Sequence, residues 1–173
     1  LEPGLTLSSF TATGVSPNPV EDGKFAFSQW DGGSVQGDTA FDQLTGQLNT
    51  SKYYQFTLTP EVADAMTVTG LTFGADRSVS GPRTFAVRSS ADNYSTNLSA
   101  SILPANAALS LPGSNVFFFT QDTTGGVGGC TITVNYSHLT GPVTFRIYAW
   151  NAEDAGGSFA VDTVMVHGQF GLI

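Results

Sequence analysis

The stretch V-T-F-R-I-Y-A-W, residues 143–150, alternates strictly between two sets of side chains. Val143, Phe145, Ile147 and Ala149 form an apolar row, and Thr144, Arg146, Tyr148 and Trp150 set a cation beside two large aromatics. Successive side chains of an extended chain point to opposite faces, so this period predicts a β-strand with its apolar row in a core. The same period recurs at 5–13, 24–30, 52–59, 66–73, 83–89, 115–120, 130–136 and 158–166, and more weakly near 40–44 and 98–103. Turn formers separate these runs, among them Val15-Ser-Pro-Asn-Pro, Asp31-Gly-Gly, Ser80-Gly-Pro and Ala155-Gly-Gly. Helical periodicity is almost absent; Pro60 to Met66 offers one helical turn at most. Many short strands at this spacing predict an all-β fold, and at this length an antiparallel two-sheet jelly-roll β-sandwich. Residues 31–51 are the least regular and read as a long loop with a short helix or an edge strand.

No repeat or linker divides the 173 residues, which are 40% hydrophobic, enough for one substantial core. We therefore expect one β-sandwich module over 1–173. Because the chain opens on Leu1-Glu-Pro-Gly, without an initiator Met, it is read as part of a longer secreted protein. Fourteen acidic against six basic side chains give a net charge of -8. That balance argues against nucleic acid and against an anionic membrane surface, both of which select clustered Lys and Arg. No apolar run approaches the roughly 20 residues needed to span a bilayer. Cys130 stands alone in the sequence, so an intrachain disulfide is excluded, and C-T-I-T-V reads as a buried strand thiol.

Catalytic constellations are missing. Hydrolysis by paired carboxylates needs two acids held across a scissile bond. Only four Glu occur, at 2, 21, 61 and 153, and none lies on an E-x-D-x-x-E strand. His138 and His167 belong to no metal-binding helix pattern, and G-x-S-x-G does not occur. The glycines of 124–129 precede C-T-I-T-V, a strand, whereas a phosphate loop opens a helix, so they read as a hairpin loop. The chain is read as a non-enzyme.

Four segments carry a resemblance: K-Y-Y-Q-F-T-L-T-P (52–60), L-T-F-G-A-D-R-S-V-S-G-P-R-T-F-A-V-R-S-S-A-D-N-Y (71–94), V-T-F-R-I-Y-A-W-N-A (143–152) and G-S-F-A-V-D-T-V-M-V-H-G (157–168). Together they resemble an accessory β-sandwich module of secreted or surface-attached bacterial proteins, similar to carbohydrate-binding modules. The resemblance implies a jelly roll, secretion or display on the bacterial cell surface, and covalently linked neighbouring domains. It does not name a ligand.

The second row of 143–150 is the candidate binding surface. Trp150 and Tyr148 offer rings to the apolar faces of sugars, and Arg146 offers a planar fork for hydroxyls or carboxylates. Arg88 and Tyr53 alternate onto the same kind of face from their own strands. A structural role stays open beside this one, with a loop covering the aromatics and Arg146 paired to an acid. Arg77 and Arg83, flanking Gly81-Pro82, read as loop anchors. Asp162 interrupts the apolar run F-A-V-D-T-V-M-V, where an isolated buried carboxylate is costly. Related modules place an Asp there on a structural Ca²⁺, so Asp162 is a candidate metal ligand, with Asp22 and the carbonyls of Ser9–Thr13 as partners; the alternative is an internal partner such as an arginine or main-chain amides. Thr163 stands where those modules have Asp or Asn. The function expected is non-catalytic binding of a polysaccharide or cell-surface glycan, the alternative being a structural or adhesive spacer.

Overall fold

The structure is a computed structural model and describes residues 4–18, 24–61, 64–122 and 125–172. In chain order the strands are β1 (Leu5–Leu7), β2 (Thr11–Thr13), β3 (Ser16–Pro17), β4 (Phe25–Ser28), β5 (Tyr53–Pro60), β6 (Asp64–Arg77), β7 (Thr84–Ser89), β8 (Ser99–Ile102), β9 (Leu109–Gly113), β10 (Val116–Phe119), β11 (Val127–Leu139), β12 (Val143–Trp150) and β13 (Phe159–Leu172). They form two sheets, ordered β1-β5-β12-β7-β10-β9, with β2 also on β5, and β3-β4-β13-β6-β11-β8. Every named strand pair is antiparallel.

The order identifies the architecture. From β4 to β7 the chain crosses between sheets at each step. The late strand β12 returns between β5 and β7, and β13 returns between β4 and β6. Two quartets wound in this way are a jelly roll, as the alternation predicts. β8 and β9 extend one edge of each sheet.

Both inner faces are aromatic. From the first sheet come Tyr54, Phe56, Phe85, Phe117, Phe119 and Phe145; from the second come Met66, Val68, Phe73, Cys130, Ile132 and Phe159, all buried. Phe85 stacks on Phe117 with centroids 4.8 Å apart, and the Tyr54 hydroxyl donates to the Phe159 carbonyl across the sandwich at 2.6 Å. Burying one such ring contributes about 1.5–3 kcal/mol.

Four local expectations need correction. Residues 5–13 are two strands: Leu7 pairs with Leu58 but Thr11 with Gln55, so one extra residue bulges between them. The helical turn expected at 60–66 is replaced by the connection of β5 to β6, since Pro60 still belongs to one strand and Asp64 already to the next. Near Ala40–Leu44 a single 3-10 turn, Phe41–Gln43, takes the place of a strand. Of the glycine-rich 124–129, residues 127–129 already lie in β11. β9, in A-L-S-L-P-G, is a strand that the sequence did not reveal.

Candidate ligand-binding face

β12 is central in its sheet, and its register fixes what surrounds the second row. Arg146 lies opposite Gln55 of β5 and Arg88 of β7; Tyr148 lies opposite Ala86, and Trp150 opposite Thr84. The outer face therefore has two halves. At the Trp150 end it is apolar: Ala86, Val116, Tyr148 and Trp150 form a cluster that Leu48 and Tyr53 cap. Phe41 meets Phe118 edge-on, centroids 5.8 Å apart. Residues 41–48 thus fold over this half, and Tyr148 and Trp150 are 1% and 7% exposed. The two rings are accordingly no open platform for a sugar, because the apolar half of the face has its own cover.

The cover is held by polar contacts from far along the chain. The Gly46 amide donates to Asn151 Oδ1 at 2.8 Å, and Asn151 Nδ2 donates to Thr84 Oγ1 at 2.9 Å. A Cβ on Gly46 would stand 2.4 Å from that same oxygen, so only glycine lets the segment approach. Lys52 bridges to Asp31 at 2.6 Å, and Asn49 donates to the other oxygen of Asp31 at 2.7 Å. The hydrogen bond from Lys52 above all, with lesser help from Asn49 and from the Lys52 charge, holds the Asp31 carboxyl below its ordinary range against the opposing effect of burial.

The Arg146 half is half-buried rather than closed: Tyr53, Gln55, Arg88, Tyr94, Asn97 and Arg146 all keep part of their surface in water. The Arg146 guanidinium lies between two rings, 4.0 Å from the centroid of Tyr53 and 3.8 Å from that of Tyr94. Its Nε donates to Gln55 Oε1 at 3.0 Å. Arg88 donates from Nε to Asn97 Oδ1 at 2.8 Å and from Nη1 to the Tyr94 carbonyl at 3.0 Å. Where Arg88 and Asn97 meet the edge of the cover, a recess of about 290 Å³ is lined by Leu44, Gln47, Leu48, Arg88, Asn97 and Trp150. Burial raises the Tyr148 hydroxyl above its ordinary range.

Tyr94 is the residue that sequence reasoning missed. A 3-10 turn, Ser90–Asp92, follows β7, and Asn93 and Tyr94 then take left-handed conformations at φ 56 and 57. The Asp92 carboxylate gathers the amides of Ser95 and Thr96 and both hydroxyls, which lowers its proton affinity, the Thr96 hydroxyl contributing most. This tight loop swings Tyr94 over Arg146. The available signal was D-N-Y-S-T, an acid followed by hydroxyl residues that close an Asx-type turn.

The sandwich ends elsewhere are structural. Arg77 and Arg83 are completely buried and share the carboxylates of Asp122 and Glu153. Arg77 also donates to the carbonyls of Val79 and Gly81, and Arg83 to that of Phe119. They anchor the loops around Gly81-Pro82. Cys130 is buried, which pushes its thiol up to about 12.

Asp162 is not where the apolar run suggested. It lies opposite Gly74 at a bulge that spans Asp162 to Met165, with Thr163 at φ 49, and its side chain is exposed on the outer face of the second sheet. The bulge shifts the parity, so Val161 and Val164 stay on the core side while Asp162 meets water. Burial thus gives no reason for a metal there. The carboxylate accepts from the Thr163 hydroxyl, and among the described residues no three His, Cys, Asp or Glu side chains converge to hold an ion. Asp22 lies outside the described residues. A second recess, about 610 Å³, crosses this outer face between Leu103, Met165 and Asp162, with Thr72 Oγ1 hydrogen-bonded to His167 Nε2 at 2.8 Å.

No family model and no curated protein matches the chain. A solved structure described as “CBM4 structure and function” is similar. It is 12% identical, with a TM-score of 0.36, over 92% of this chain and 94% of that one. A superposition that loose adds nothing to the jelly roll already defined by the strand order.

Proposed function

We propose that the chain is a non-catalytic glycan-binding module that holds a polysaccharide against the Arg146 half of its β5–β12–β7 face. In this reading it serves a secreted or surface-attached bacterial protein and is covalently joined to neighbouring domains, as the sequence resemblance implies. One observation carries the binding reading: the Tyr53–Arg146–Tyr94 stack, with Gln55 alongside and with Arg88 and Asn97 leading from it to a recess. Sugars offer hydroxyls to planar amide and guanidinium groups, and C–H faces to rings. The stack fixes those groups before any ligand arrives, which lowers the ordering cost of binding.

Affinity electrophoresis against soluble polysaccharides, neutral and acidic, tests the reading. Retarded migration in at least one gel, lost on Arg146→Ala and on Tyr94→Ala, is the expected result; unaltered migration in every gel would remove it. A structural spacer is the second reading, favoured by the closure of residues 41–48 over Tyr148 and Trp150. It expects the same two substitutions to change melting temperature and nothing else.

A further inference from the structure

The chain has six cationic side chains, and their pairing is uneven. Lys24 bonds to Asp76, Lys52 to Asp31, and Arg77 and Arg83 to Asp122 and Glu153. Arg88 and Arg146 remain. Neither has a carboxylate within ion-pair distance among the described residues, although the chain carries fourteen acidic side chains. They are also direct register partners on adjacent antiparallel strands, pointing to the same outer face. Like charges placed directly opposite destabilise a sheet.

The surroundings keep this charge in place without neutralising it. Every acceptor on the pair is electrically neutral: Gln55 Oε1 for Arg146, Asn97 Oδ1 and the Tyr94 carbonyl for Arg88. The other neighbours are ring faces, Tyr53 and Tyr94 about Arg146 and Tyr148 near Arg88 at 5.7 Å. These contacts occupy both Nε groups and orient both forks. Both Nη groups of Arg146 and Nη2 of Arg88 make no hydrogen bond among the described residues. Of the two, Arg88 lines the recess near Asn97 and Trp150, which is close to the lower limit of small-ligand clefts in size, and Arg146 lies opposite Arg88 on the next strand.

Resting on the glycan reading, we infer that the ligand is an anionic polysaccharide, and that Arg88 and Arg146 together receive its acid groups. A guanidinium binds a carboxylate or a sulfate ester through two parallel N–H···O bonds, and both are shared chemistry for this site. In a protein of net charge -8, a polyanion is otherwise repelled, so a local pair of unpaired cations also fixes where it docks.

The test adds the missing carboxylates to the protein itself. Gln55→Glu and Asn97→Asp each place an acid on the Nε that the amide now contacts, which favours the folded state while neutralising the fork. Binding is measured by calorimetry and gel retardation against a polyuronate, a sulfated galactan and a neutral β-glucan. Each variant, with a melting temperature no lower than the parent's, is expected to lose at least tenfold in affinity for the charged polymer. Arg146→Lys is expected to lose less than Arg146→Gln, and added salt to weaken binding of the parent. The polyuronate and sulfated arms separate carboxylate from sulfate ester as the group received. Retention of full affinity by folded Gln55→Glu and Asn97→Asp would overturn the inference. So would binding of the neutral glucan alone, which leaves the glycan reading standing. Binding of no polymer at all would defeat both.

Discussion

Removing Glu153 should unfold this protein far more readily than removing Asp122, although both carboxylates serve the same two arginines. The side chains of Arg77 and Arg83 are both 0% exposed, that of Glu153 is 5% exposed and that of Asp122 is 35% exposed. Glu153 Oε1 accepts from Arg77 at 2.9 Å and from Arg83 at 3.3 Å. Glu153→Ala leaves two buried guanidiniums facing an empty, dry position, and taking one partner from a buried pair costs about 3–5 kcal/mol. Asp122→Ala removes equally short contacts, but water reaches that side and takes over the donors, so the cost falls to about 1–2 kcal/mol. For a chain of this size each kcal/mol moves the melting temperature by roughly 2–4 °C. Glu153→Ala should therefore lower it by about 6–20 °C, and Asp122→Ala by less than half of that. Thermal melts followed by far-UV circular dichroism give both shifts, and urea unfolding followed by tryptophan fluorescence gives the free energies behind them. Equal losses, or a larger loss for Asp122→Ala, would show that water access does not set the cost of these charges.

Tyr148 carries a buried hydroxyl that makes no hydrogen bond, so Tyr148→Phe should leave stability unchanged or raise it by up to about 1 kcal/mol, which urea unfolding reads directly. Because its folded-state pKa is lowered, Asp31 stabilises the cover at neutral pH, and that contribution disappears as pH falls below about 4. The parent should therefore lose more stability between pH 5 and 3 than Asp31→Asn does, as thermal melts at each pH can show. Cys130 should react with a thiol reagent at neutral pH only after the sandwich opens, at the rate of unfolding; labelling of the native protein would contradict its burial. Gly46→Ala should destabilise by about 1–3 kcal/mol through overpacking against Asn151 and should raise quenching of tryptophan fluorescence by acrylamide.

The jelly roll was legible because a half-buried sheet writes its pleat into the sequence, and β5 and β12 carry that record. The cover over Trp150 was not, and the reason is physical. Alternation states which face a side chain takes, but not what lies above it. That depends on an irregular segment whose approach rests on a Gly46–Asn151 contact 105 residues apart. The burial expected of Asp162 was misread for a related reason: one bulge shifts parity, and an apolar run with a single acid then reads as a buried charge.

The arginines show how far such reading extends. Arg77 ends β6, and Arg83 stands just before β7; there the chain leaves the ladder and its carbonyls fall free. Val79, Gly81 and Phe119 accordingly offer main-chain oxygens to buried forks, and an arginine beside Gly-Pro reads correctly as an anchor. Arg146 lies mid-strand, and Arg88 lies opposite it, where the ladder has already used the local carbonyls. Apart from the Tyr94 carbonyl, their contacts come from side chains of neighbouring strands or loops, or from a ligand. Composition supplied six cations and fourteen acids, enough acid to pair every cation. That the unpaired two are register neighbours is a property of strand order alone, and it appears only once β12 is seen to lie between β5 and β7.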